Sequence, residues 1–135
     1  MKVLIDTNVI LDVLYKREDF YEDSLKIWKL CETKQIEGYI SALSIPNIVY
    51  ILRRELDSIK SLEVIKNLSL VFSIYDLKSD IIMQASELKI NDYEAAIQAI
   101  TAQKIKANFI ITRNIKDYIY SKVPAIKPAE LLERI

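Results

Sequence analysis

Three carboxylates, Asp6, Asp92 and Asp117, stand beside hydroxyl and amide side chains where the chain changes from one kind of element to another. Asp6 runs directly into Thr7 and Asn8. Asp92 and Glu94 open an apolar helical stretch. Thr112, Arg113 and Asn114 follow an apolar run and lead into Asp117. Oxygen donors without nitrogen or sulfur partners suit Mg2+ or Mn2+, which take carboxylates and water and favour phosphate-bearing substrates. Such an ion activates water and neutralises the charge that develops on a phosphodiester. The chain has no histidine and one cysteine. That composition removes Ser-His and Cys-His nucleophile pairs and zinc sites built from His or several Cys. Chemistry here must run on carboxylates, hydroxyls, lysines or a hard cation.

Elements must bring these residues together. Lys2 to Ile5 reads as a short buried strand, and Val9, Ile10, Val13 and Leu14 repeat at helical spacing. Asp6 then sits at the C-terminal end of a strand and at the mouth of a helix, the edge where open parallel α/β sheets bind ligands. An Asp there is equally a helix N-cap, since its carboxylate accepts the free N–H groups of the first turn. The pattern continues with a helix over 20–34, a strand over 37–42, helices from Ser44 and from Ser58 to about Asn67, and a strand over 70–75. Helices over 78–88 and 92–106 follow. A strand over 109–112, a loop with a helical turn to Tyr120, an edge strand at Ala125-Ile126 and a helix from Pro128 complete the chain. Ser44 is expected to cap its helix, with Pro46 in the first turn. Strands with apolar cores separated by helices predict one α/β domain over residues 1–135, with a central parallel sheet of four to five strands flanked by helices on both faces.

In such a sheet the strand ends share one edge. Asp6, Ser41, Ser44, Asp76, Thr112, Arg113, Asn114 and Asp117 are expected there, with Asn47 one turn into the following helix and Asp92 at the head of another. Net charge is zero, so no global basic footprint marks a nucleic-acid partner. Half the residues are hydrophobic, yet none of the apolar runs approaches the roughly 20 residues of a membrane span. Cys31 falls on a helical face with Ile27 and Trp28, as a core residue would. A lone thiol and no cationic leader lead us to expect a cytoplasmic protein.

Four segments, VLIDTNVIL, GYISALSIPNIVYIL, NDYEAAIQAITAQ and FIITRNIKDY, occur in an order and spacing that resemble the PIN-domain nucleases, which include the VapC toxins of bacterial toxin–antitoxin pairs. The resemblance covers essentially the whole chain. It implies a Rossmann-like sheet of order 3-2-1-4-5 and Mg2+- or Mn2+-dependent cleavage of RNA. It also implies a cognate antitoxin and a homodimer as partners, with no membrane. Asp6 matches the first metal-binding Asp of the family, and Asn114 and Asp117 match the polar pair after the fourth strand. Asp12 matches a further Asp carried by the first helix in one branch.

The chain departs from the pattern at two positions. Asn47 stands where many members have Glu, and Ala95 where members commonly have Asp. Asp92, three residues before Ala95, is expected on the same helical face and able to take over its role. Glu94 points about 100° away on an ideal helix and ranks behind it. Asp6, Asp92 and Asp117 are thus the expected catalytic carboxylates, with Asn114 beside them on the metal. Asn8, Asp12, Ser44, Asn47, Glu94, Thr112 and Arg113 are expected to support the site or contact substrate. The alternative is a degenerate PIN module that binds RNA or a protein partner without cutting. A receiver-like or phosphatase-like domain fits poorly, because the phosphatase pattern would need Asp where Asn8 stands.

Overall fold

The computed structural model describes all 135 residues. Its first strand, β1 (Lys2–Ile5), is followed without a spacer by α1 (Thr7–Leu14). Then come α2 (Tyr21–Glu32), β2 (Glu37–Ser41), α3 (Ser44–Leu52), α4 (Ser58–Val71) and β3 (Ser73–Tyr75). The second half holds α5 (Ser79–Ala85), α6 (Tyr93–Ile105), β4 (Phe109–Ile111), a 3-10 turn at Ile115–Tyr118, β5 (Ala125–Ile126) and α7 (Pro128–Arg134). No helix is long and apolar enough to cross a membrane.

All strand pairings are parallel and the order is β3-β2-β1-β4-β5, as the resemblance implies. Alternate residues of each strand face opposite layers. Val3 and Ile5 pack with α1, α2, α3, α4 and α7, whereas Leu4 packs under α6. Ile111 and Ile110 divide in the same way on β4. The layer containing α6 is built around a helix buried nearly all round, with every residue from Ala95 to Ala102 buried. Small alanines let that helix lie close to the sheet, and its first turn therefore arrives at the sheet edge beside Asp6.

Two expected boundaries are corrected. The helix α4 runs on to Val71, taking Leu70 and Val71 from the expected strand. Leu68 and Val71 are three residues apart, and both are buried on the same helical face, so core packing outweighs the β propensity of the segment. Ser44 is the first helical residue of α3 and caps nothing; Leu43 occupies the cap position with no side-chain bond. Its hydroxyl is drawn instead into a buried bond with Thr7.

Candidate metal-binding cleft

β1 and β4 lie side by side in register, Ile5 opposite Ile111, so Asp6 and Thr112 leave the sheet together. The backbone N–H of Asp6 bonds to the carbonyl of Ile111 at 2.9 Å and holds that register one residue further. Asp6 then caps α1, accepting from Thr7 N through Oδ1 at 2.7 Å. Its other oxygen, Oδ2, accepts from Thr112 Oγ1 at 2.7 Å, from Tyr118 Oη at 2.9 Å and, more distantly, from Asn8 Nδ2 at 3.5 Å. Capping and site chemistry are not rivals at this residue. The cap bond orients the carboxylate, and Oδ1 keeps a lone pair for a ligand.

A cavity of about 200 Å3 opens over Asp6 and is lined by Asp92, Glu94 and Asp117 as well, with Asn8, Ala95, Asn114 and Tyr118 between them. Four carboxylates and no Lys or Arg line it. Burial pushes the Asp6 carboxyl above its ordinary range, and the charge of Asp117 pushes the same way against the hydrogen bonds from Thr112, Tyr118 and Thr7. Burial also raises Glu94, reinforced by the charges of Asp6 and Asp92. The phenol of Tyr118 is driven far above its ordinary value by burial and by Asp6, so it remains a proton donor to Asp6.

Asp92 and Glu94 both line the cleft but are held differently. Asp92 lies one residue before the helix in an extended conformation, with φ −81° and ψ 111°, so helical face rules do not apply to it. Its Oδ1 is occupied in capping α6, accepting from Ala95 N at 3.2 Å. Glu94 is turned toward α1 and α3. Its Oε1 accepts from Asn47 Nδ2 at 3.2 Å and from Thr7 Oγ1 at 3.4 Å, leaving Oε2 without a partner in the chain. Thr7 is in turn 2.7 Å from Ser44 Oγ, which accepts from Gln98 Nε2 at 3.0 Å. A buried row of donors therefore runs from Gln98 to Glu94.

Several expected contributors lie elsewhere. Ser44 and Thr112 are fully buried; Thr112 donates to Asp6, whereas Ser44 bonds Thr7 and Gln98 and no carboxylate. Asp12 is fully buried and faces away from the cleft, held by Arg113 Nε at 2.7 Å, Arg113 Nη2 at 3.1 Å and Arg17 Nη1 at 3.1 Å. The buried carboxylate needs a partner, and Arg113 supplies it from the loop after β4. Asp76 is exposed at the far side of the sheet, and Ser41 is buried, accepting from Leu43 N at 3.2 Å. Tyr118 was absent from the sequence reading. The signal was its adjacency to Asp117 in a short helical turn, where successive side chains point to different sides.

The donor set fits a hard cation held loosely. No group of three or more acidic, His or Cys side chains is close enough together to hold a metal ion unaided. Mg2+ and Mn2+ sites do not require that, because one or two carboxylates and several waters suffice. Oε2 of Glu94, Oδ2 of Asp92 and the carboxylate of Asp117 accept no hydrogen bond within the chain, and Oδ1 of Asp6 accepts one, from Thr7 N.

The sequence matches the PIN domain family over residues 2–116. No curated protein matches it. Among solved structures, VapBC2 from Rickettsia felis bound to a DNA fragment from its promoter is 18% identical, with a TM-score of 0.70 over 94% of this chain and 98% of that one. The DNA-bound VapBC of Salmonella typhimurium is 14% identical, with a TM-score of 0.71 over 95% and 98%. FitAcB from Neisseria gonorrhoeae is 20% identical, with a TM-score of 0.69 over 94% and 98%. A parallel 3-2-1-4-5 sheet, an acidic cleft at its C-terminal edge and a family match over most of the length lead to one assignment: this chain belongs to the PIN-domain family.

Proposed function

We propose that this protein is a ribonuclease dependent on Mg2+ or Mn2+, acting as the toxin of a toxin–antitoxin pair. The observation that carries the reading is the cleft itself, which four acidic residues and no basic side chain line. Burial raises two of these carboxyls, with the charge of Asp117 adding to Asp6 and those of Asp6 and Asp92 adding to Glu94, a repulsion that a divalent cation would relieve. One or two of Asp6, Glu94 and Asp117, with water completing the shell, would hold that ion, with Asn114 at the rim. When bound, it supplies charge neutralisation for a phosphodiester and lowers the pKa of water.

The chain's own residues perform the remaining tasks. Thr112 and Tyr118 donate to Oδ2 of Asp6 and Thr7 N to Oδ1, so the carboxylate is fixed in orientation. Asn47 and Thr7 fix Oε1 of Glu94 and so aim Oε2. Asn114 is exposed beside Asp117 and offers an amide to an incoming phosphate or sugar. The antitoxin partner and a second copy of the chain are proposed on the family's habit and on a toxin–antitoxin complex from Klebsiella pneumoniae that shares this fold.

A second reading is favoured by one observation. Ala95 lines the cleft where the family commonly has Asp, and it contributes no ligand. In that reading the fold binds RNA or a protein without cutting. Cleavage of a mixed RNA pool with Mn2+, Mg2+ or EDTA, beside Asp6→Ala protein, decides between them. Metal-dependent cleavage that disappears in Asp6→Ala establishes the nuclease. Binding of RNA without cleavage by either protein establishes the second reading.

A further inference from the structure

A second cavity, of about 300 Å3, lies next to the acidic cleft and shares Asn114 with it. It is enclosed by the start of α2, the loop after β4 and the residues leading into α7. That volume is at the lower end of small-ligand pockets. At its deep end Ser24 is 1% exposed, and its hydroxyl has no hydrogen-bond partner. A buried hydroxyl left unpartnered costs free energy, which a ligand or water bonding to it would recover.

One wall is flat and fixed. The Arg113 guanidinium lies 4.2 Å over the Phe20 ring and is held by two bonds to the buried Asp12. Of its five N–H donors those two are used, so three remain without a partner in the chain. Asp12, shared with Arg17, offsets part of its charge and fixes the plane of its donors. Asp23, half-buried, adds a carboxylate that makes no hydrogen bond within the chain, and Lys127 adds a cation that enters no ion pair.

We infer that this cavity receives the nucleobase adjoining the phosphodiester held at the acidic cleft, and that it prefers a base with an exocyclic amine. The inference rests on the nuclease reading and adds a specificity site to it. Guanidinium planes and aromatic rings stack on bases of single-stranded RNA, whose edges are then read by hydrogen bonds. The free donors of Arg113 meet ring nitrogens or carbonyls, Ser24 either donates or accepts, and Asp23 accepts from an amine, as carboxylates do toward cytosine. Lys127 stands ready for the next phosphate and disfavours a cationic occupant. Asn114 joins the two cavities, as a base and its own phosphate require.

The test is titration of the full chain with AMP, CMP, GMP, UMP and N-acetyl-argininamide in EDTA, read by amide chemical shifts along α2. We expect at least one amine-bearing nucleotide to bind ten-fold or more tightly than UMP. Asp23→Asn should erase that preference. Ser24→Leu, which fills the deep end, should weaken all nucleotide binding about ten-fold while the Mn2+ affinity of the cleft stays the same. Equal binding of UMP, no binding of any nucleotide, or tighter binding of N-acetyl-argininamide overturns the inference, the last in favour of a protein segment. Because EDTA removes cleavage from the readout, the outcomes separate. Nucleotide binding without RNA cleavage in Mn2+ leaves the subsite and removes the nuclease. Cleavage whose base preference ignores Asp23→Asn and Ser24→Leu leaves the nuclease and removes the subsite.

Discussion

The side-chain amide of Asn47 donates to Oε1 of Glu94 at 3.2 Å, joining α3 to the first turn of α6 across the cleft. A carboxylate at position 47 would face Glu94 with like charge. The amide instead supplies a donor, and that bond counters part of the rise that burial imposes on the Glu94 carboxyl. Asn47 is thus a positioning residue. Asn47→Ala should leave the fold intact and weaken Mn2+ binding roughly 3- to 10-fold, the net value of one ordinary intramolecular hydrogen bond. Asn47→Gln, if its longer amide still reaches Glu94, should recover part of the loss. Calorimetric titration of Mn2+ reads both; unchanged affinity in Asn47→Ala removes the positioning role.

Ala95 sits 5% exposed on the cleft wall, one turn into α6. Ala95→Asp adds a carboxylate where the cleft lacks one. We expect Mn2+ affinity to rise about ten-fold, since a charged oxygen replaces a water on a cation that otherwise depends on few carboxylates. Without metal the same variant should be less stable, because a fifth acidic group joins a cleft that holds no cation. Melting temperatures with and without Mn2+ should therefore move apart. If they shift together, the new carboxylate does not reach the ion.

Asp6 supplies a prediction in pH. Its folded-state pKa is raised above 3.8 by burial, with Asp117 adding to the rise. The folded state therefore holds a proton that the unfolded state has released across the interval between those two values. Stability falls as pH rises through it, and above it the ionised carboxylate opposes folding. Asp6→Asn should then melt higher than the parent in EDTA at neutral pH, with the difference shrinking toward pH 4. About 1 kcal/mol raises the midpoint by roughly 3–5 °C in a domain of this size. Mn2+ should reverse the order, stabilising the parent and not the variant. A variant that melts lower than the parent in EDTA would mean that the Thr112 and Tyr118 bonds outweigh the burial of charge.

How much of this was legible in the sequence differs from residue to residue. The order of elements and the sheet edge that gathers Asp6, Asn114 and Asp117 follow from hydrophobic periodicity and the topology of parallel sheets, which are local signals joined by one general rule. The Asp92–Glu94 relationship was not legible, because it depends on where helix α6 begins. A shift of one residue at the cap turns a helical neighbour into an extended one. Asp12 and Arg113 are 101 residues apart. Nothing local to either marks the pairing, so each was read as a candidate contact for metal or substrate. Tyr118 was missed because a short 3-10 turn has too few residues to show a period. The boundary of α4 was misplaced because Leu68, Leu70, Val71 and Phe72 satisfy a strand pattern and a helix pattern alike.

The Asp12 cluster predicts unequal costs for its two arginines. Arg113 makes two bonds to the fully buried carboxylate and is 26% exposed, whereas Arg17 makes one and is 39% exposed. Arg113→Met should cost about 2–4 kcal/mol, because most of the compensation of a buried charge is removed. Arg17→Met should cost under about 1 kcal/mol, the range of a pair open to solvent. Asp12→Asn/Arg113→Met should cost less than Arg113→Met alone, since the stranded charge is gone. Urea denaturation of the three variants measures this. Equal costs for both arginines would place the main support of Asp12 elsewhere.

Gly38 in β2 carries the last prediction. Its one hydrogen-for-methyl difference matters because a Cβ there would lie 2.5 Å from Cys31 Sγ and 2.9 Å from the Phe72 ring. Neither neighbour can retreat easily. Cys31 is fully buried, and Phe72 is 3% exposed with the Trp28 ring edge-on at 5.1 Å. Gly38→Ala should therefore cost about 1–3 kcal/mol through overpacking, with no contribution from backbone strain. Cys31→Ala removes the sulfur but leaves the Phe72 contact, so the double variant should recover only part of the loss. The two substitutions should be non-additive in a double-mutant cycle. The same close packing pushes the Cys31 thiol up to about 12, so native protein at pH 8 should resist iodoacetamide until urea unfolds it. Faster labelling of Gly38→Ala than of the parent would show that the methyl group forces this wall of the core to open.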